Sequence, residues 1–356
     1  MNLENHNNSL EYWLEDQAKS APDLFPLSFE KNSDNYYNRR YEDLAFRVGK
    51  YLHPYLDRAA LASEGIFLTD HGPEHVKRVI KMASGLARSE RITLSPYEVY
   101  LLLCSIQCHD LGLIYGKGDH GDNASIIMSQ LRHDLSDDST EWRVIFEIAR
   151  VHSASHGAEK DTIVQLPKTR NLNGHTVQMR RLAALLKLSD ELSDWKGRES
   201  GYLMNIKEVL KDSEIYHEYS NALHNVQVDH DQHRIVLGFE VRNPEKQSTR
   251  GDNQIYLLDE ILERTLKVYL EATYCSRFLR PDLDIAQVSV EIEVCNENGF
   301  GVLDTINYKL EERGYPTKPA AGILSICEEL NQWHNNEPLS GSALASKLSE
   351  MVEGDK

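Results

Sequence analysis

Apolar residues recur every three or four positions through the first half of the chain, a spacing typical of helices with one buried face. The pattern is helical almost throughout from about Tyr41 to Trp195. The clearest stripes comprise Val76, Val79, Ile80, Ala83, Leu86 and Ala87; Val99, Leu102, Leu103 and Ile106; Ala124, Ile127, Met128 and Leu131; Val144, Ile145, Ile148 and Ala149; and Met179, Leu182, Ala183, Leu185 and Leu186. The sequence therefore predicts an all-α region that contains these helices.

Capping residues mark where two of these helices begin. Ser95-Pro96-Tyr97-Glu98 carries the Ser and Glu of a capping box, with proline at the first helical position. Asp138, with Glu141 three residues later, predicts the start of another helix. A further short helix is expected around Leu10–Lys19.

Beyond residue 200 the pattern changes to alternation of apolar and polar residues, which indicates half-buried strands. The alternating apolar residues are Val226 and Val228; Ile235, Leu237, Phe239 and Val241; and Val288, Val290, Ile292 and Val294. The segment Asp229–His233 lies between two of these runs and predicts a hairpin loop. A stripe from Leu258 to Leu270 predicts a long helix between the strand groups.

These patterns predict a mainly α fold, in which an all-α core precedes a smaller α+β region with a short antiparallel sheet. We expect a polar lead-in over residues 1–40 and the helical core over 41–200. The α+β region is expected over 201–312, with strands near 223–241 and 287–295 and a helix near 254–280. Residues 313–356 are predicted to form a linker and short C-terminal helices.

The composition narrows the classes of ligand. The formal net charge of the 356 residues is −17, and no basic run is present. Because binding to long nucleic acid needs clustered Lys and Arg, we expect a small ligand instead, with room for a local phosphate pocket.

The same sequence predicts a cytoplasmic protein. The polar N-terminus lacks the pattern of a signal peptide, and no run of eighteen apolar residues is present. The 5 Cys are odd in number and scattered, which favours a reducing compartment.

Four predicted helices each bring one metal-ligating residue to the inner edge of its apolar stripe: His75, His109, His152 and Asp190. A carboxylate on a buried face is costly unless it is paired or bound to a cation. The sequence therefore predicts a divalent metal site. Imidazole with carboxylate suits Mn, Fe, Co, Ni or Zn, whereas a site dominated by carboxylate and water suits Mg or Mn.

The series His75, His109-Asp110 and Asp190 resembles the H…HD…D signature of the HD-domain metal-dependent phosphohydrolases. The resemblance covers roughly residues 65–195 and includes the HD-x-G motif at His109–Gly112. The segment Gly118–Ser125 is similar to one in deoxynucleoside triphosphate triphosphohydrolases. The segment Ser63–His75 is similar to HD proteins of bacterial conflict and defence systems.

The resemblance implies roles for individual residues. It places His75, His109, Asp110 and Asp190 around a first metal ion. A second metal ion or the substrate phosphates would be bound by His120, His152 and His156. His120 would also act in catalysis, oriented by Asp122. Further candidates for substrate binding are His71, Arg78, Lys117 and Lys187.

Two positions depart from the family pattern. Leu113 stands where many members have a polar residue, and Ser153 follows His152 where many have a second His. These departures keep open the choice between one and two metal ions.

The expected reaction is hydrolysis of a phosphoester or phosphoanhydride of a nucleotide by metal-activated water, with a role in antiviral defence suggested by the resemblance. Two alternatives share the same residues: a nuclease or cyclic-nucleotide phosphodiesterase, and a nucleotide-sensing regulatory subunit with little turnover. The resemblance also implies a homo-oligomer, and nothing in the sequence predicts a membrane partner.

Overall fold

The computed structural model describes residues 3, 6–26, 36–56, 71–88, 92–115, 120–135, 138–153, 161–194, 214–250, 252–296, 299, 301–311 and 322–354. The chain divides into two compact units. The first comprises Met1–Ser193 and Cys275–Leu283, and the second comprises Asp194–Tyr274 and Asp284–Lys356.

The first unit is built from helices. They are α1 (Leu10–Ser20), α2 (Tyr36–Arg47), α3 (Pro73–Ala87), α4 (Pro96–Cys108), α5 (His120–Leu135), α6 (Ser139–Arg150) and α7 (Met179–Glu191). Short 3-10 turns span Pro22–Leu24, Leu111–Tyr115 and Ile163–Gln165, and a π-helical turn spans Val48–Leu52. A two-stranded ribbon of β1 (Arg170–Leu172) and β2 (His175–Val177) precedes α7.

Helix α4 lies at the centre of this unit, since every one of its residues is buried. Its start has the predicted capping box: the Ser95 hydroxyl accepts from the Glu98 amide, and the Glu98 carboxylate accepts from the Ser95 amide. Helices α3, α6 and α7 pack against α4 and against one another in part. These four helices bring the predicted metal-ligating residues together.

Helix α1 is a buried element inside the segment predicted as a polar lead-in. Its apolar side chains Leu10, Trp13, Leu14 and Ala18 are buried, and the helix packs against α4. The Ser9 side chain caps its start. Residues 10–20 are therefore part of the helical unit.

A buried ion pair joins α2 to α6. The Arg40 guanidinium contacts the Glu141 carboxylate, which is almost fully buried. The Tyr97 hydroxyl donates to Glu141 Oε2 at 2.7 Å, and the Tyr100 hydroxyl lies 3.3 Å from Oε1. Because each oxygen of the Glu141 carboxylate accepts at least one hydrogen bond, its charge is accommodated away from water.

The second unit combines helices with a sheet. Its elements are α8 (Glu214–Ala222), β3 (Leu223–Asp229), β4 (Arg234–Arg242), β5 (Gln247–Arg250), β6 (Asn253–Tyr256), the greater part of α9 (Leu257–Leu279), β7 (Gln287–Cys295), β8 (Val302–Glu311), α10 (Ile323–Ile326) and α11 (Gly341–Gly354), with a 3-10 turn at Glu328–Leu330. The prediction of a mainly α fold with a smaller α+β region is confirmed.

The four-stranded sheet has the order β3-β4-β7-β8. The outer pairs β3–β4 and β7–β8 are antiparallel, and the predicted hairpin loop joins β3 to β4. The central pair β4–β7 is parallel, so the sheet is mixed. Parallel neighbours need a crossover connection, and the chain between β4 and β7 contains α9.

No helix in the described part of the chain combines the length and apolar character that crossing a membrane requires.

Candidate metal centre

The ends of four helices meet at one cluster of His and Asp side chains. His75 lies in the first turn of α3, and Asp190 lies in the last turn of α7. His109 caps the C-terminus of α4 and is followed by Asp110, whereas His152 comes two residues after α6. His75, His109, Asp110 and His152 are buried, which sets the cluster inside the helical unit.

The donor atoms of four residues lie at nearly equal separations. His75 Nε2 lies 3.2 Å from His109 Nε2, 3.4 Å from Asp110 Oδ2 and 3.3 Å from Asp190 Oδ1. His109 Nε2 lies 3.2 Å from Asp110 Oδ2 and 3.6 Å from Asp190 Oδ1. Ligands at about 2.0–2.2 Å from one ion are themselves roughly 3–3.6 Å apart. The four side chains therefore fit a divalent cation.

Hydrogen bonds to the backbone orient the imidazole rings of His109 and His152 so that Nε2 of each ring faces the cluster. His109 Nδ1 donates to the Ile106 carbonyl at 2.8 Å, and His152 Nδ1 donates to the Ala149 carbonyl at 2.5 Å. A carbonyl only accepts, so both rings carry a proton on Nδ1 and turn Nε2 toward the cluster, as the nitrogen that would bind a metal ion. Such partners of the distal nitrogen fix the orientation of metal-ligating His.

The electrostatics of the cluster favour a cation. Burial opposes the charged form of His109, but the Asp110 and Asp190 carboxylates outweigh it and hold the pKa of His109 well above its usual range. Burial acts to raise the pKa of Asp110, yet the imidazoles of His109 and His71 hold it well below its usual range. Burial also acts to raise the pKa of Asp190, but hydrogen bonds from His109 and His75 hold it well below its usual range. Both carboxylates are therefore ionised, and their negative charge is available to a metal ion.

Two further histidines flank Asp110. His152 Nε2 lies 3.5 Å from Asp110 Oδ1, and His71 Nδ1 lies 2.7 Å from Asp110 Oδ2. Among the described residues, three overlapping groups have donor atoms placed to hold an ion: His71, His75 and Asp110; His75, His109 and Asp190; and His109, Asp110 and His152. Asp110 or His75 takes part in each of them.

The candidates for phosphate binding have different surroundings. Lys187 is buried on α7, and its Nζ donates to the His152 carbonyl at 2.9 Å. Arg78 is partly buried on α3, one turn after His75, and burial lowers its pKa. Lys117 lies outside the described residues. Their predicted contacts with a substrate remain predictions.

The predicted catalytic pair lies at the start of α5. His120 is the first residue of that helix, and its side chain is outside the described part of the structure. Asp122 forms an ion pair with Arg150, with 3.3 Å between Oδ1 and Nη1. His156 also lies outside the described residues. The roles of His120, Asp122 and His156 remain predictions.

Ser193 is a support residue that sequence reasoning missed. Its Oγ lies 3.2 Å from His75 Nδ1 and is buried. Ser193 follows Asp190 by three residues and lies in the turn that ends α7, where its amide donates to the Asp190 carbonyl at 3.0 Å. That spacing was the available signal.

A mainly helical unit with a His, His-Asp, Asp cluster at its centre is typical of an HD-domain protein. The family model HD-CE matches residues 65–267, which is more than half of the chain. The chain therefore belongs to the HD-CE family. No curated protein matches it.

Membership in an HD-domain family implies a metal-dependent hydrolase of the HD type. The buried His/Asp cluster is compatible with the divalent metal that such a hydrolase uses. The resemblance to particular branches, triphosphohydrolase and conflict-system proteins, stays a prediction.

Proposed function

We propose that the protein is a metal-dependent phosphohydrolase that acts on a nucleotide. The observation that carries the proposal is a set of four donor atoms from His75, His109, Asp110 and Asp190. The two imidazole Nε2 atoms lie 3.2 to 3.6 Å from each other and from the carboxylate oxygens. In this proposal those side chains bind one divalent ion, drawn from Mn, Mg, Fe, Co, Ni and Zn.

A divalent ion bound there lowers the pKa of a water molecule and withdraws charge from a phosphoryl oxygen. Asp110 and Asp190 supply the negative charge that balances the cation. The backbone carbonyl of Ile106 holds the His109 ring in its ligating orientation. Burial of His75 and His109 limits competing water at the site.

In this proposal His152 accepts a proton close to the metal ion or binds a second one. Its Nδ1 proton is engaged by the Ala149 carbonyl, so Nε2 is the nitrogen that faces Asp110. A lone pair in this position can accept a proton or contribute to a second cation. His120 and His156 are assigned the same region by the family resemblance alone.

The charge of the chain supports a compact substrate. A net charge of −17 repels long polyanions, whereas a nucleotide carries only a few phosphates, which a bound divalent ion and a neighbouring basic side chain would neutralise. Lys187 already donates to a main-chain carbonyl, so we assign phosphate charge to Arg78 before Lys187. A part in antiviral defence belongs to this proposal only through the resemblance.

The test uses one preparation of the full chain, stripped with a chelator and reloaded with Mn²⁺ or Mg²⁺. Phosphate or pyrophosphate release is measured from ribonucleotides, deoxyribonucleotides and cyclic nucleotides, with bound metal determined on the same sample. Turnover that requires metal and is lost in Asp110→Asn is the expected result. His133→Ala, an exposed histidine on α5, is the matched control.

Tight nucleotide binding by the metal-loaded protein without turnover would overturn the hydrolase and favour a sensor. Cleavage of single-stranded DNA in preference to nucleotides would favour a nuclease instead.

A further inference from the structure

His71 lies closer to Asp110 than the other histidines of the cluster do. Its Nδ1 lies 2.7 Å from Asp110 Oδ2, whereas the Nε2 atoms of His75 and His109 lie 3.4 and 3.2 Å from that same oxygen. A separation of about 2.7–2.9 Å is that of a charge-assisted hydrogen bond between N–H and a carboxylate. Two ligands of one tetrahedral ion at about 2.0–2.2 Å lie further apart, at roughly 3.3–3.6 Å.

The chemistry of the two groups assigns the proton. An Asp side chain is normally an ionised carboxylate at neutral pH, and both of its oxygens can then only accept. The hydrogen at 2.7 Å must therefore come from His71 Nδ1. A nitrogen that donates this hydrogen has no lone pair to offer a metal ion.

The position of His71 allows it to orient the Asp110 carboxylate. It comes four residues before His75, and the two rings meet edge to face with centroids 5.3 Å apart. Oδ2 of Asp110, which accepts from His71, also faces His75 and His109, while Oδ1 faces His152. Holding Oδ2 in place therefore sets the direction of both carboxylate oxygens.

We propose that His71 is a positioning residue, which donates from Nδ1 to Asp110 and thereby orients that carboxylate toward the metal ion. This replaces direct contact with the substrate as its main role. The inference rests on the metal site of the proposed function. Partners of this kind typically contribute about 10–100-fold to metal affinity.

Three substitutions separate the roles. In Asn the amide nitrogen is bonded to Cγ, as Nδ1 is in His, so His71→Asn retains the hydrogen-bond donor. The variant lacks the imidazole ring, so it cannot replace His71 as an imidazole ligand of the metal. Gln places the amide one bond further out, and Ala removes it. Mn²⁺ and Co²⁺ are titrated into the stripped full-length variants, and the visible absorption of the Co²⁺ forms is recorded.

The expected result is a loss of metal affinity of about 10–100-fold in His71→Ala and His71→Gln, with His71→Asn close to wild type in affinity and Co²⁺ spectrum. A His71→Asn variant as weak as His71→Ala, with an altered Co²⁺ spectrum, would show a metal ligand and overturn the proposal. Wild-type affinity in His71→Ala would also overturn it and return His71 to a substrate contact.

Two controls keep the outcomes separate. Far-UV circular dichroism and thermal unfolding of the metal-free variants establish that each one is folded, and His133→Ala reports on loss of an unrelated histidine. If the ranking of metal affinities holds while no phosphate is released, the proposed function fails and the role of His71 stands. If the wild-type protein binds neither ion, both are overturned.

Discussion

The buried ammonium of Lys187 lies 2.9 Å from the main-chain carbonyl oxygen of His152. Lys187 precedes Asp190 by three residues on α7, and His152 follows the end of α6. This one hydrogen bond therefore connects the helix that carries Asp190 to the segment that carries His152.

Replacing Lys187 with Met should destabilise the first unit. The substitution keeps the length of the side chain but leaves the buried His152 carbonyl without this donor, at a cost of about 1–3 kcal/mol. Lys187→Arg, which retains a donor, should lose less. Urea unfolding followed by tryptophan fluorescence measures the difference, with the exposed Lys81→Met as control. Greater stability of Lys187→Met would mean that burying the charge costs more than the bond contributes.

Metal binding should raise the thermal stability of the wild-type protein. At a free Mn²⁺ concentration about 100 times the dissociation constant, the gain in unfolding free energy is about 2.7 kcal/mol. Asp190→Asn removes one of the balancing charges and should abolish this gain at the same concentration. Differential scanning fluorimetry with and without a chelator measures it. Asp16→Asn, an exposed carboxylate on α1, should behave as wild type. An equal shift in Asp190→Asn would exclude this residue from the metal site.

Breaking the ion pair between Arg40 and Glu141 should be costly. Arg40→Met leaves the buried Glu141 carboxylate without its cation, and such a loss costs roughly 3–5 kcal/mol. The double variant Arg40→Met with Glu141→Gln should lose less than the sum of the two single losses, as a double-mutant cycle on urea unfolding would measure. The exposed pair of Lys19 and Glu15 is the comparison, where Lys19→Ala should cost less than about 1 kcal/mol. Additive effects of the Arg40 and Glu141 substitutions would show that the pair contributes no coupling.

The cap of α6 should give a stability that depends on pH. The Asp138 carboxylate accepts from the amides of Thr140 and Glu141 at 3.0 Å and from the Asn173 side chain at 2.8 Å. Burial acts to raise the pKa of Asp138, but these hydrogen bonds outweigh it and lower the pKa below the ordinary value. The contribution is thus fully present above the ordinary carboxyl pKa and lost as the pH falls through the lowered one.

Asp138→Ala should accordingly cost about 1 kcal/mol at neutral pH. Asp138→Asn keeps a capping oxygen without the charge, so the stability difference from wild type should shrink as the pH falls below about 4. Urea unfolding across a series of acidic buffers measures both. A difference that stays constant with pH would assign the stabilisation to the shape of the side chain and not to its ionisation.

Helical periodicity made much of the first unit predictable. A stripe with a period near 3.6 fixes which side of a helix is buried, so His109 and Asp190 could be assigned to inner faces before any contact was known. The capping box at Ser95 was predictable for the same reason, since its partners are three residues apart. Residue spacing in the sequence is enough to predict a structural feature when its residues interact within one or two helical turns.

Contacts between distant segments were not predictable in this way. Glu141 was expected to help Asp138 cap α6, but its carboxylate pairs with Arg40, which lies 101 residues away. Alternation of apolar and polar residues identified β4 and β7 as strands. That pattern does not show whether two neighbouring strands are parallel or antiparallel, and β4 and β7 are parallel to each other. For Lys187 the sequence shows only that the side chain is basic. Its hydrogen bond to the His152 carbonyl depends on how the helices pack.

The end of α7 has a consequence for how the metal site responds to change. Asp190 contributes a donor atom there, and Ser193, three residues later, orients the imidazole of His75. A predicted ligand, Asp190, and the residue that contacts a second ligand, Ser193, thus lie in one turn of the chain, closed by a hydrogen bond from the Ser193 amide to the Asp190 carbonyl. Any substitution or bound molecule that rotates this helix end would move the Asp190 donor atom and the Ser193 hydroxyl together. The metal affinity would then depend on the position of this single turn of backbone.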